Sequence, residues 1–187
     1  MSYKKASFVI SCAEVAGRPK DGKPCVLLIG RSNVGKSTLI NALCASRLAF
    51  ASKKAGKTKL LNYFLIEERF YLVDAPGYGS TSFATKDTMH FSKMMEEYLP
   101  LPEVKAVALL MDLRRPLGED DKAFLKYLQK SGKPLLIVAT KTDKMNQSEK
   151  AKAKAYLKEV GIDTYLESDL TPAKTNKIAE LIARYAK

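Results

Sequence analysis

Histidine is nearly missing from this chain: His90 is the only one in 187 residues. A single imidazole in a stretch with helical spacing cannot build a His-rich metal site, so His90 reads as a surface or interface residue. Cysteine is scarce too. Cys12, Cys25 and Cys44 are far apart, odd in number and form no CxxC pair. That argues against a disulfide framework and for reduced thiols in or near the core. No apolar run approaches membrane-spanning length, and Met1 to Ala6 lacks the apolar core of a signal peptide. The expected location is therefore cytoplasmic, with no membrane partner. There is no internal repeat, no low-complexity tract and no evident domain boundary, so residues 1–187 are expected to form one domain with a sizeable core.

Acidic side chains are also in deficit. Thirty-two lysines and arginines face 20 aspartates and glutamates, a net charge of +12. A field of that sign attracts a polyanion. A bound nucleotide accounts for only part of such a surplus, which points to RNA as a partner. No segment is clearly a basic amphipathic membrane anchor.

The stretch that organises the rest is Gly30-Arg31-Ser32-Asn33-Val34-Gly35-Lys36-Ser37. It fits the phosphate-loop pattern G-x-x-x-x-G-K-S/T. Val26 to Ile29 before it reads as a buried strand, and Thr38 to Leu43 after it as a helix. Gly30 and Gly35 let the backbone curl so that successive N–H groups point at phosphates, and the helix opening at Lys36 adds its positive end. Lys36 brings a full charge for the β- and γ-phosphates. Ser37 offers a hydroxyl to Mg²⁺.

Along the chain, residues 7–10 are a candidate edge strand and 16–24 a Gly/Pro loop. Residues 51–59 are polar, basic and glycine-containing, hence a loop. Residues 60–66 and 70–73 flank the polar break Glu67-Glu68-Arg69, as in a hairpin. A helix from about Thr85 to Leu99 has Met89, Phe91, Met94, Met95, Tyr98 and Leu99 as its inner stripe. Val104–Met111 and Leu135–Ala139 are continuously apolar, the mark of strands covered on both faces. Helices are expected over 119–130, 147–159 and 173–186, and a short strand over Thr164–Leu166. Strands alternating with helices indicate an α/β fold with a mostly parallel sheet. Ligands bind such sheets at the carboxyl ends of strands.

Two further polar clusters fall at strand ends. Asp74-Ala75-Pro76-Gly77 is a DxxG: Asp74 can hold a water on the magnesium, and the Gly77 N–H can reach a γ-phosphate. Thr140-Lys141-Thr142-Asp143 is where base selectivity would lie. The Asp143 carboxylate can accept from the N1–H and N2–H₂ edge of guanine, a donor pair that adenine lacks, while the Lys141 stem lies against the base face.

With these residues the chain resembles the translation-factor-related GTPases. Among the TrmE-Era-EngA-EngB-septin-like members it is similar to the EngB (YihA/YsxC) family of ribosome-biogenesis GTP-binding proteins. The match rests on Gly30 to Ser37, Leu39-Ile40-Asn41, Gly56-Lys57-Thr58, Asp74 to Gly79, Asp112-Leu113-Arg114 and Thr140 to Asp143. The threonine at 140, where most GTPases carry asparagine, is itself the family form. The resemblance implies a Ras-like P-loop GTPase fold with a six-stranded mixed sheet and helices on both faces, GTP or GDP as ligand, Mg²⁺ as cofactor and slow intrinsic hydrolysis. It implies a monomeric cytoplasmic factor, with no DNA partner, that binds ribosomal RNA and proteins of the large ribosomal subunit during assembly and is needed for cell division and septation.

By the resemblance the nucleotide site comprises Gly30 to Ser37 with Thr38, Gly56 to Lys59 with Leu60, Asp74 to Gly77, Thr140 to Asp143, and Ser168 with Asp169. Thr58 is the switch threonine, joining Ser37 on Mg²⁺ in the GTP state. The last base loop departs from the family pattern: Ser168 is followed by Asp169-Leu170, and Asn176 stands near the expected glycine. Lys36, Thr58, Gly77 and Asn33 are the candidate catalytic residues. Asn33 resembles a phosphate-loop asparagine that helps hold a monovalent cation such as K⁺. Tyr78 occupies the place after DxxG where many Ras-like enzymes carry a water-orienting glutamine, a role tyrosine cannot fill in the same way. Two other readings stay open from the residues alone: an ATP-using kinase or ATPase, and a nucleotide-gated adaptor that does not hydrolyse.

Overall fold

The computed structural model describes residues 3–49, 60–79 and 85–187. Its strands are β1 (Ala6–Cys12), β2 (Cys25–Gly30), β3 (Leu61–Ile66), β4 (Phe70–Asp74), β5 (Val104–Asp112), β6 (Leu135–Thr140) and β7 (Leu166–Ser168). Its α-helices are α1 (Lys36–Leu43), α2 (Thr85–Tyr98), α3 (Glu119–Lys130), α4 (Gln147–Glu159) and α5 (Pro172–Tyr185). They build one seven-stranded sheet in the order β1-β3-β4-β2-β5-β6-β7. The five strands from β4 to β7 run parallel. β1 and β3 join antiparallel at one edge.

The continuous apolar runs become the central strands for the expected reason. In β2, Leu27 and Ile29 face one core, while Val26 and Leu28 face the other. The first core is closed by α2, α3 and α4 through residues such as Met95, Leu125 and Leu157, the second by α1 and α5 through Ile40 and Ile182. All of these side chains are essentially excluded from water. With two covered faces there is no polar face to alternate with.

The sheet has seven strands, not six. The edge strand expected over 7–10 is β1, extended to seven residues and paired with β3 from Ala6↔Ile66 to Cys12↔Leu61. Its stability comes partly from the β3–β4 turn. Glu67 and Glu68 both have positive φ, 51° and 57°, a geometry that non-glycine residues adopt at a cost. The Glu67 carboxylate accepts the backbone N–H of Lys4 at 2.7 Å and of Lys5 at 3.2 Å, which ties the start of β1 to the strained turn.

Two smaller expectations also change. Met89 is 68% exposed and lies outside the inner stripe of α2. β7 sits two residues later than the apolar pattern suggests, because its register is set by β6: Val138 pairs with Leu166 and Thr140 with Ser168. The three cysteines are free and buried, as expected.

Candidate functional site: a phosphate loop beside two strand ends

β2 ends at Gly30, and α1 begins six residues later at Lys36, capped by Gly35 at φ 110°. Asn33, at φ 63°, supplies a second left-handed residue. Alternating handedness of this kind turns backbone N–H groups toward a common centre. Gly30 is required by packing: a Cβ there would lie 2.6 Å from the Leu110 carbonyl oxygen and 2.9 Å from Val34 Cγ1.

The Lys36 side chain is only 11% exposed and its ammonium is 3.9 Å from Asp74 Oδ1. Burial pulls the lysine below its ordinary value, opposed by the Asp74 charge. Burial also pushes the Asp74 carboxyl up to about 6, again opposed by its neighbour. Asp74 Oδ1 has no hydrogen-bond partner among the described residues. A buried, unsatisfied carboxylate oxygen at a strand end, beside a helix-opening lysine and Ser37, has the chemistry of a hard-cation and phosphate site. Among the described residues no three His, Cys, Asp or Glu side chains cluster as a self-sufficient metal cage.

The DxxG segment is stitched to the phosphate loop by main-chain bonds. Ala75 N–H donates to Leu28 O at 3.0 Å, Tyr78 N–H to Gly30 O at 3.3 Å, and Ser32 N–H to Tyr78 O at 3.1 Å. Gly77 lies so close to Ser32 that a Cβ would come within 2.9 Å of both its Cα and its N. Tyr78, read from sequence as the residue standing where a water-orienting glutamine would be, turns inward. It is 9% exposed, with its ring 4.6 Å from that of Phe124. Arg31 also leaves the phosphate region. Its guanidinium pairs with Asp121 of α3 at 2.9 Å and donates to Gly79 O at 3.3 Å. Asp121, 3% exposed, takes the Gly118 N–H on the same oxygen at 2.9 Å. Nothing in the local sequence marked Arg31 and Asp121 as a pair.

The third cluster comes in at the end of β6. The Thr140 hydroxyl donates to Val34 O at 2.8 Å, with Met111 O at 3.3 Å. Thr140 thus locks the loop after β6 to the phosphate loop. Lys141 has φ 59°, and its ammonium donates to Asn33 O at 2.9 Å. Asp143 follows in a short 3₁₀ turn, Thr142–Lys144, with an exposed side chain. Ser168 is buried next to Thr140 in the β6–β7 register. The Asp169 carboxylate is taken by Thr171, through its N–H at 3.0 Å and hydroxyl at 2.7 Å, and by Lys174 at 2.9 Å. The Thr171 hydrogen bond is the main cause holding that carboxyl well below its usual range. Thr38 is exposed in the first turn of α1, and Leu60 half-buried just before β3. Gly56, Lys57, Thr58 and Lys59 lie outside the described residues.

A phosphate loop between β2 and α1 of such a sheet, with a DxxG after β4 and a lysine–aspartate loop after β6 converging on it, defines a P-loop GTPase. Residues 25–141 match the family model described as 50S ribosome-binding GTPase. The chain is 42% identical over 156 residues to the probable GTP-binding protein EngB of Chlorobaculum parvum, covering 82% of this chain and 81% of the relative. It is 39% identical over 184 residues to that of Solibacter usitatus, covering 97% and 96%. The chain belongs to the EngB family of GTP-binding proteins, and is a GTP-hydrolysing enzyme. A crystal structure of a probable GTP-binding protein engB superimposes with a TM-score of 0.66 at 17% identity, over 87% of this chain and 98% of that one. Era, solved in complex with MgGDPNP and nucleotides 1506–1542 of 16S ribosomal RNA, has the same fold: TM-score 0.66 at 21% identity, over 87% of this chain and 56% of Era.

Proposed function

We propose that this enzyme is a single G domain that acts as a GTP-gated assembly factor for the large ribosomal subunit, needed for cell division and septation, monomeric and cytoplasmic, with RNA and ribosomal proteins as partners. What supports this reading is a phosphate loop, a DxxG and a Thr-Lys-x-Asp loop at neighbouring strand ends, in a chain with a net charge of +12 that also matches a family described as 50S ribosome-binding. Among the described residues no helix is long and apolar enough to cross a membrane.

In this reading the curled loop from Gly30 to Ser37, with Thr38, takes the phosphates, and Lys36 stabilises charge on the β- and γ-oxygens. Ser37 would hold Mg²⁺ and Asp74, whose Oδ1 is orphaned, would support it; such an ion would supply positive charge against the phosphates. Thr58, flanked in the sequence by Gly56, Lys57, Lys59 and Leu60, would join them in the GTP state, and the Gly77 N–H would meet the γ-phosphate. Loss of that phosphate releases both segments, and intrinsic turnover is slow without a partner. Asp143 reads guanine, Lys141 lies on its face, and Thr140, Thr142 and the backbone of Ser168 and Asp169 complete the pocket. Tyr78, turned into the core, leaves the water-orienting place unfilled; separately, Asn33 would hold a monovalent cation such as K⁺, which would supply positive charge beside the phosphates. Turnover equal in potassium and sodium, with the ribosomal partner present, would argue against that last role.

Lys53, Lys54, Lys57 and Lys59 surround Thr58 in the sequence. Their replacement by glutamine should leave GTP affinity nearly intact. It should weaken association with large subunits and lower the slope of affinity against salt by about three to four phosphate contacts. Subunit association indistinguishable from the parent across a salt series would show that the four lysines serve solubility alone.

A further inference from the structure

Asp112 closes β5 with its side chain only 5% exposed. Arg114 folds back to grip it. Nε reaches Oδ1 at 2.8 Å, Nη2 reaches Oδ2 at 2.6 Å, and the Arg114 backbone N–H points to Oδ1 at 3.3 Å. Oδ2 has room for one more donor, and the Lys141 ammonium takes it at 3.2 Å. The same ammonium is bonded to the phosphate-loop carbonyl of Asn33 at 2.9 Å. So the Lys141 side chain leaves the end of β6 and is pinned at its tip by an anion from β5 and a carbonyl from the loop.

A two-pronged arginine–carboxylate contact is strong and geometrically specific. It holds the Asp112 carboxyl well below the usual carboxylate range against the opposing effect of burial. Free lysine side chains carry large rotamer entropy. A lysine ordered before its ligand arrives spares that ordering cost at binding.

We infer that Asp112, clamped by Arg114, is a positioning residue for guanine nucleotide binding, which fixes the Lys141 ammonium so that the lysine stem forms a preset wall of the base site. This rests on the proposed role of Lys141 at the base face, and the experiment separates the two.

The test is a double-mutant cycle read as the release rate of fluorescent GDP, alongside the melting temperature of each nucleotide-free protein. Lys141→Ala should speed release by more than about tenfold and Asp112→Asn by about tenfold, and the double variant should release no faster than Lys141→Ala alone. Arg114→Gln, which loosens the clamp from its exposed side, should accelerate release less, and only where Lys141 is present. It serves as the second route if Asp112→Asn melts early. Effects that multiply in the double variant, or parental release from both Asp112→Asn and Arg114→Gln, would overturn the positioning role while leaving Lys141 in place. Parental release from Lys141→Ala would overturn both.

Discussion

Replacing Asp143 with asparagine should exchange guanine for xanthine as the preferred base. Asp143 stands exposed just after β6, in a loop that Thr140 and Lys141 anchor to the phosphate loop. In the proposed base site a carboxylate there would accept two hydrogen bonds from guanine. An asparagine amide presents one acceptor and one donor, so the N2–H₂ of guanine meets a donor, while the 2-oxo group of xanthine finds its match. One charge-assisted bond becomes a neutral one and the other becomes a donor–donor clash, which predicts a fall in GTP affinity of roughly a hundredfold or more, with xanthosine triphosphate gaining in parallel. Competition binding with the two nucleotides reads it. Unchanged GTP affinity would remove Asp143 from the base site.

Gly77→Ala should separate the two nucleotide states. The new methyl would need space now filled by Ser32 Cα, N and Oγ, at 2.9, 2.9 and 3.0 Å. Two of those atoms are backbone, so the DxxG segment must move away from the phosphate loop. The cost falls mainly on the state in which Gly77 closes on the γ-phosphate. A GTP analogue should lose at least about tenfold more affinity than GDP, and hydrolysis should fall by about a hundredfold or more, the scale of removing one transition-state donor. Equal losses for analogue and GDP would mean that Gly77 serves phosphate-loop packing and not γ-phosphate sensing.

What could be seen in the sequence follows from how local each signal is. The β2–loop–α1 unit is contiguous, so its glycines, its lysine and its apolar flanks appear together in Val26 to Leu43. β5 and β6 are legible because burial on both faces leaves an uninterrupted apolar run. The β3–β4 hairpin shows as a polar break between two apolar segments. β1 and β7 are harder. Their residues alternate weakly, and register comes from the neighbouring strand, as Thr140↔Ser168 shows. The side-chain pairs that tune the site were illegible for a different reason. Arg31 and Asp121 are 90 residues apart, and Lys141 meets Asn33 across 108. Only the strand order brings such residues to one sheet edge. Tyr78 illustrates the same limit: its position in the motif was plain, but its inward rotamer depends on Phe91 and Phe124, from two separate helices.

In the proposed function, the nucleotide state of this G domain governs its hold on the large ribosomal subunit. The most direct measurement is co-sedimentation of the protein with purified large subunits, at one fixed salt concentration, in a non-hydrolysable GTP analogue and in GDP. An ordered pair of switch segments in the analogue state predicts robust pelleting with the subunit, and at least about fivefold less in GDP. Equal recovery in both nucleotides, or recovery with neither, would contradict it.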